Sequence, residues 1–120
     1  MSTLKIGIIG TGGIAGLHLK CYRTIKDVEV VAGCDIVPGK AKAFFEKSDY
    51  PNAKGFDSME AMFKATKLDA VSVCTYNTSH AICTIAALEQ GIPVLLEKPM
   101  CVTMDEARAI IAAEKRTGKF

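Results

Sequence analysis

Short apolar segments alternate with segments of helical spacing along the whole chain. Residues 5–9, Lys-Ile-Gly-Ile-Ile, form a nearly continuous apolar run that ends at glycines, which is typical of a strand buried on both faces of a parallel sheet. The same kind of pattern predicts four further strands, at residues 28–34, 53–56, 70–75 and 94–96.

The first helix is predicted from Gly13 to about Tyr22, directly after the first strand. Ile14, Leu17 and Cys21 recur at i, i+3 and i+7 in this segment. We therefore expect that face of the helix to pack on the sheet.

Two short helices are predicted next. Pro38 suits the first turn of one of them, because its missing N–H would have no partner there. Asp57 is predicted to cap the other, with Glu60 returning a capping-box bond. Their apolar stripes are formed by Ala41, Phe44 and Phe45 in one helix and by Met59, Met62 and Phe63 in the other.

The last two helices have clear ends. One spans Ser79 to Gln90, and Gly91 can end it in the left-handed conformation. The other begins at the capping box Thr103-x-x-Glu106 and stops near Gly118.

Strict alternation of strand and helix predicts the α/β class. We expect a Rossmann-type, doubly wound, mainly parallel sheet between two layers of helices, a three-layer αβα domain that covers residues 1–120. Ligands of such sheets bind beyond the carboxyl ends of the strands.

The composition of the chain limits the classes of partner and the compartment that we expect. Lys plus Arg number 15 against 13 Asp plus Glu, a near balance that argues against a nucleic-acid or membrane-surface partner. The five cysteines never have C-x-x-C spacing, and most lie in apolar runs, so we expect reduced, mostly buried thiols. Together with an N-terminus that lacks secretory features, this indicates a cytoplasmic protein without a metal site.

A glycine-rich turn carries the strongest chemical signal. Residues 10–15, Gly-Thr-Gly-Gly-Ile-Ala, form a G-x-G-x-x-A fingerprint between the first strand and the first helix. Gly10 permits the tight turn, Gly12 lets the backbone approach a pyrophosphate, and Ala15 allows close packing of helix and strand. The phosphates would lie on the helix N-terminus, against a dinucleotide-binding segment that comprises Gly10, Thr11, Gly12, Gly13 and Ile14.

Asp35 decides between a functional and a merely structural turn. It ends the second strand, where a Rossmann domain places a carboxylate on the adenosine ribose. It would repel a 2′-phosphate of charge about −1.5 to −2, and the next two residues offer no arginine, so NAD is favoured over NADP. Lys40 is the one feature that leaves NADP open.

Two polar clusters follow the fourth and fifth predicted strands. In the first, Thr75, Asn77 and His80 offer hydroxyl, amide and imidazole groups to the nicotinamide half, although a capped helix start with a solvated histidine is the competing interpretation. In the second, Glu97 and Lys98 precede a proline. An ammonium group beside the nicotinamide can polarise a substrate oxygen, so Lys98 is the candidate catalytic residue.

Taken together these motifs resemble one family. The chain is similar to the N-terminal domain of the glucose-fructose oxidoreductase, inositol dehydrogenase and rhizopine-catabolism family, Gfo/Idh/MocA. The motifs that carry the resemblance are residues 7–15, the Cys-Asp pair at 34–35, Thr-x-Asn-x-x-His at 75–80, Ala-Leu-Glu-Gln-Gly at 87–91 and Glu-Lys-Pro-Met at 97–100.

The resemblance implies NAD(P)-dependent oxidation or reduction of sugars, polyols or related small molecules. It implies that Gly10, Gly12 and Asp35 hold the cofactor, that Lys98 is the active-site lysine, and that Asn77, His80 and Glu97 line the nicotinamide side. Tyr76 departs from the family pattern, which often has proline there.

Family members normally continue into a second domain that supplies substrate contacts. We therefore expect a chain truncated before its C-terminal substrate domain, with the substrate bound only when that domain is present and with exposed apolar surface that drives a homodimer. The parent protein is then an oxidoreductase, or a hydrolase that uses NAD in a transient oxidation. A stand-alone dinucleotide-binding module, acting as a sensor or interaction protein, is the main alternative, and a Rossmann methyltransferase is a distant one.

Overall fold

A computed structural model describes residues 2–120, and its centre is a sheet of five parallel strands. The strands are β1 (Leu4–Ile9), β2 (Val28–Cys34), β3 (Lys54–Phe56), β4 (Ala70–Val73) and β5 (Val94–Leu96). Their order is β3-β2-β1-β4-β5, so the chain winds outward from β1 in one direction and then in the other. The order reverses between β1 and β4, and the crevice at such a switch point is where ligands of doubly wound sheets bind.

Five helices cover the two faces of this sheet. They are α1 (Gly13–Arg23), α2 (Lys40–Glu46), α3 (Met59–Ala65), α4 (His80–Glu89) and α5 (Met104–Thr117), and a 3₁₀ turn (Asn77–Ser79) precedes α4. Two separate apolar clusters hold the layers together. Ala15 and Leu19 of α1 and Phe45 of α2 pack on one face, whereas Met62 of α3 and Cys83 and Ala87 of α4 pack on the other. The predicted three-layer architecture is confirmed.

The predicted buried face of α1 is wrong. Ile14, Leu17 and Cys21 are exposed, and the helix buries Ala15 and Leu19 instead. A small residue is needed where the helix crosses the strand closely, so Ala15 points inward and fixes the rotation of the helix. Leu19 then follows at i+4 on the same face.

The starts of α2 and α3 also differ from the prediction. Pro38 lies before α2, whose N-cap is Gly39 in the left-handed conformation. Ser58, not Asp57, caps α3, because its side chain accepts a hydrogen bond from the N–H of Ala61. The Asp57 carboxylate instead accepts from the N–H of Gly39 at 3.0 Å and so joins α3 to the start of α2.

The other predicted ends are confirmed. Thr103 and Glu106 form both bonds of a capping box at α5, and Gly91 and Gly118 adopt positive φ of 76° and 70° after α4 and α5. Three of the five cysteines, Cys34, Cys74 and Cys83, are buried, and all five are free thiols. Among the described residues no helix is long and apolar enough to cross a membrane.

Candidate functional site

Two glycines of the turn after β1 meet different surroundings. Gly10 has a φ of 88°, and a Cβ at this position would lie 2.9 Å from both the backbone carbon and the oxygen of Cys74. Gly12 is the N-cap of α1, and a Cβ there would have no protein atom within 4 Å. Gly10 is therefore required by the fold, whereas the space beside Gly12 suits a group that must approach the backbone closely.

The N-terminus of α1 is built to receive an anion. Gly12 provides no side-chain cap, so the first N–H groups of the helix, those of Gly13 and Ile14, depend on an outside acceptor. The helix dipole adds a partial positive charge at the same place. The side chain of Ile14 itself is exposed. A phosphate group has the charge and the acceptor oxygens that this terminus lacks.

Asp35 is held beside this turn by three donors. The N–H and the hydroxyl of Thr11 donate to its Oδ2 at 3.0 and 2.9 Å, and the N–H of Val37 donates to Oδ1 at 3.0 Å. The Lys40 ammonium lies 3.8 Å from Oδ2. Burial raises the pKa of Asp35, but the bonds from Val37 and Thr11, with Lys40, outweigh it and hold the pKa below its ordinary value.

The geometry leaves Asp35 able to bind one more donor. A carboxylate has about four acceptor positions, and Thr11 and Val37 use three of them. The remaining position, on Oδ1, can accept a ribose hydroxyl without the loss of any of these bonds. Asp35 is thus an ionised, pre-oriented acceptor at the carboxyl end of β2.

A cavity of about 440 Å³ joins the turn and the carboxylate. Its lining includes residues 10–13 and 34–37, with Lys40 and Thr75 on opposite sides. Three thiols complete the inner wall, from Cys34, Cys74 and Cys83. Burial raises the pKa of Cys34 and of Cys74 to about 12, so this wall is neutral at physiological pH. The cavity therefore combines an apolar floor with a polar, anion-binding rim, as small-molecule sites do.

Only one residue of the predicted polar cluster after β4 lines this cavity. Thr75 lines the cavity, whereas Asn77 begins the 3₁₀ turn outside its lining. His80 is 1% exposed, which contradicts the solvated histidine of the competing interpretation. Its Nδ1 lies 2.6 Å from the carbonyl oxygen of Pro99 and its Nε2 lies 3.1 Å from that of Thr75. Both partners are acceptors, so both bonds form together only when the ring carries two protons.

The cluster after β5 contacts α1. Glu97 Oε1 lies 2.8 Å from Nε2 of His18, and Glu97 Oε2 accepts from the Lys98 N–H at 3.3 Å. The hydrogen bond from His18 is the main cause that lowers the pKa of Glu97. The Lys98 side chain is exposed and lines a second cavity of about 360 Å³ beside α4, β5 and α5.

The structure thus brings together one part of the predicted site. Gly10, Thr11, Gly12, Gly13, Asp35 and Thr75 line the large cavity. Asn77, His80, Glu97 and Lys98 lie at the same edge of the sheet but outside that lining, after the neighbouring strands β4 and β5.

Sequence reasoning missed three polar residues behind this edge. His18 Nδ1 lies 3.0 Å from the hydroxyl of Ser72, and that hydroxyl also bonds the Tyr22 hydroxyl. Ser72 is fully buried in β4. A serine in the middle of the apolar run 70–74 was the available signal, since a buried hydroxyl needs partners.

The fold and this site define a class, the dinucleotide-binding Rossmann domains. Comparison with protein families agrees: the model of GFO_IDH_MocA, the oxidoreductase family with an NAD-binding Rossmann fold, matches residues 4–120. The chain belongs to the Gfo/Idh/MocA family, and it is the NAD-binding domain of that family.

Known relatives are sugar and polyol dehydrogenases by name. The chain is 41% identical over 98% of its length to D-glucoside 3-dehydrogenase of Escherichia coli and 37% identical over 98% to inositol 2-dehydrogenase of Salmonella typhimurium. It covers 33% and 35% of those proteins, so it spans about a third of the length of the curated relatives that it matches.

A solved structure shows the same arrangement of elements. The WlbA dehydrogenase from Chromobacterium violaceum, crystallised with NADH and UDP-GlcNAcA, superposes with a TM-score of 0.90 at 28% identity, over 99% of this chain and 34% of that one. These comparisons give no support to the alternative of a stand-alone binding module.

Proposed function

We propose that this domain binds NAD and presents its nicotinamide to a sugar, polyol or related small molecule, as part of an NAD-dependent dehydrogenase. The observation that carries the proposal is the pairing of the open space beside Gly12 with the pre-oriented carboxylate of Asp35 across one cavity. A structural turn alone needs neither feature. NAD supplies the chemistry of hydride transfer when it is bound.

The chain's own residues divide the work of holding the cofactor. Gly12 and the N-terminus of α1 receive the pyrophosphate, and Asp35 accepts a hydroxyl of the adenosine ribose. The nicotinamide half then extends past Thr75 toward the ends of β4 and β5, where Asn77, His80 and Glu97 lie. The strand order supports this direction, because β4 and β5 lie on the opposite side of β1 from β2.

Lys98 is proposed as the catalytic residue. It follows β5 at the carboxyl edge of the sheet, and its exposed ammonium is available to a substrate. A positive charge near the substrate oxygen stabilises negative charge that develops there during hydride transfer. Substrate contacts beyond this lysine are proposed to come from a second domain outside residues 1–120, with the substrate bound only in its presence.

NAD is proposed over NADP on charge. A 2′-phosphate of charge about −1.5 to −2 would meet the ionised Asp35 carboxylate. Lys40 offsets this repulsion only in part, because its ammonium already lies 3.8 Å from Oδ2 of that carboxylate.

Calorimetric titration of the purified chain with NAD and with NADP tests the proposal. Wild type should bind NAD more tightly than NADP. Asp35→Ala should weaken the binding of NAD by about 10- to 150-fold, since a charge-assisted hydrogen bond contributes about 1.5–3 kcal/mol. The same variant should reduce the difference between the affinities for NAD and NADP. Asp105→Ala, which removes an exposed carboxylate from α5, is the matched control and should change neither affinity. Tighter NADP binding by wild type, or an unaltered NAD affinity in Asp35→Ala, would overturn the proposal.

Self-association is proposed from the apolar surface. Leu95 of the edge strand β5, Ile82 of α4 and Phe120 are 56%, 67% and 78% exposed. Exposed apolar groups beside a strand edge favour pairing with a second copy, so we propose a homodimer. Sedimentation velocity should show a dimer for wild type and a monomer for Leu95→Lys. A monomeric wild type would contradict the proposed homodimer.

A cytoplasmic location is proposed from the cysteines. All five are free, and an odd number of thiols without disulfides suits a reducing compartment. Cell fractionation tests this assignment, which recovery in a secreted fraction would contradict.

A further inference from the structure

The chain has two histidines, and both bond a residue next to Lys98. His18, from α1, meets the side chain of Glu97, which precedes the lysine, with 2.8 Å between Nε2 and Oε1. His80, at the start of α4, meets the backbone of Pro99, which follows it, with 2.6 Å between Nδ1 and the carbonyl oxygen. The segment that carries Lys98 is therefore held from both sides.

The far side of each ring is anchored in the core. His18 Nδ1 lies 3.0 Å from the hydroxyl of Ser72, which is fully buried in β4. His80 Nε2 lies 3.1 Å from the carbonyl oxygen of Thr75, directly after β4. Each imidazole thus lies between the segment after β5 and the end or middle of β4, the strand beside it.

The donor and acceptor are fixed at the outer end of the first link. Glu97 is an ionised carboxylate and can only accept, so Nε2 of His18 carries the proton. Nδ1 lies within hydrogen-bond distance of the Ser72 hydroxyl, which also bonds the Tyr22 hydroxyl. Every member of this partly buried network has a partner, and a satisfied network holds a defined geometry.

We infer that His18 and His80 are positioning residues, which fix the backbone on either side of Lys98 and so set where its ammonium group reaches. The inference rests on the proposed catalytic role of Lys98. The lysine side chain is exposed and has a flexible stem, so the protein controls its position through the backbone. A displacement of about 1 Å is enough to cost about a hundredfold in rate.

Amide side chains separate the two bonds of each ring, because asparagine mimics Nδ1 and glutamine mimics Nε2. His18→Gln keeps the bond to Glu97, whereas His18→Asn keeps only that to Ser72. At position 80 the pattern is reversed, since His80→Asn keeps the bond to Pro99 and His80→Gln keeps only that to Thr75. Each variant thus has its matched control at the same site.

The first readout is ¹⁵N relaxation of the Lys98 amide in the cofactor-free chain. We expect an order parameter near the rigid value of about 0.85 in wild type, His18→Gln and His80→Asn, and below about 0.6 in His18→Asn and His80→Gln. Thermal unfolding reports any purely structural effect, which would not follow this crossed pattern. Equal order in the two variants of a site, or the reverse pattern, would overturn the inference.

Two further measurements keep the test decisive. If a variant does not fold, the ¹⁵N shifts of the wild-type imidazoles decide: a protonated Nε2 on His18 supports the inference, and an unprotonated Nε2 overturns it. NADH titration, followed by nicotinamide fluorescence, tests the proposed function separately. Absence of NADH binding would overturn that function, whereas the order of Lys98 without cofactor would still decide on the histidines.

Discussion

At the scale of single residues, Gly10 and Gly12 separate folding from binding. Gly10→Ala places a methyl group 2.9 Å from the Cys74 backbone at a φ of 88°, so we expect a loss of about 2 kcal/mol or more of unfolding free energy. The methyl group of Gly12→Ala would have no protein atom within 4 Å, so the free energy of unfolding should stay within about 1 kcal/mol of the wild-type value. The same variant should bind NAD at least about tenfold more weakly. Urea unfolding and calorimetric titration measure the two effects, and unchanged NAD binding by Gly12→Ala would contradict a phosphate site at α1.

Asp35 also gives the stability of the chain a pH dependence. Its pKa is lowered in the folded state, so its contribution is fully present above the unfolded value of about 4 and is lost as the pH falls through the folded pKa. Asp35→Asn should therefore cost about 1–3 kcal/mol of unfolding free energy at pH 6.5.

The difference between Asp35→Asn and wild type should shrink steadily below pH 4. Urea unfolding at several pH values, with Asp105→Asn as the surface control, measures the trend. A difference that stays constant with pH would mean that the Thr11 and Val37 bonds do not depend on the charge of Asp35.

Residues whose partners are local in sequence were the ones that could be predicted. The glycines and Asp35 follow from the spacing of one strand–helix–strand unit. His18 could not be found this way, because Ser72 and Glu97 lie 54 and 79 positions away and only the packing of α1 on the sheet joins them.

At the scale of elements, substitutions at the helix caps test whether the observed or the predicted residue begins each helix. Ser58→Ala removes the bond to the Ala61 N–H and should cost about 1 kcal/mol, as should Thr103→Ala at α5. Asp57→Ala leaves the α3 cap intact and loses the bond to the Gly39 N–H, so its effect should fall on α2.

Hydrogen exchange resolved by residue locates these losses. Faster exchange in α3 for Ser58→Ala and in α2 for Asp57→Ala is the expected result. The reverse assignment would restore Asp57 as the cap of α3.

The buried face of α1 could not be predicted from the spacing of its apolar residues. Two faces of this helix have apolar residues at helical spacing, and the more apolar one, with Ile14 and Leu17, is exposed. The choice between them depends on how closely Ala15 approaches the strand, which is a tertiary constraint that hydropathy does not contain. The strands, by contrast, were located to within two residues, because each lies in a short run of mostly apolar residues bounded by turns.

At the scale of the whole molecule, alternation and handedness were enough to predict the layers. A right-handed crossover after each strand leaves few ways to order five parallel strands. The shape of the cavity could not be predicted, since residues from four segments of the chain form it. The three thiols on its wall are the clearest case: each looked like an ordinary core residue in sequence, and only the folded chain brings them to the lining of one cavity with the glycine turn.

These thiols report on the closed state of the domain. Cys21 is exposed and Cys101 half-buried, so both should react readily with a disulfide reagent at pH 8. Cys34, Cys74 and Cys83 are buried, and for Cys34 and Cys74 a pKa of about 12 keeps the thiolate scarce, so labelling of all three requires opening of the layers. NAD at a hundred times its Kd adds about 2.7 kcal/mol to the folded state and should slow their labelling by about a hundredfold, if opening releases the cofactor. Mass spectrometry counts the modified thiols, and Asp35→Ala at the same NAD concentration is the control that should lose most of the protection. Five thiols reacting together would contradict the packed layers, whereas three slow thiols indifferent to NAD would show that the domain opens without disturbing the cofactor site.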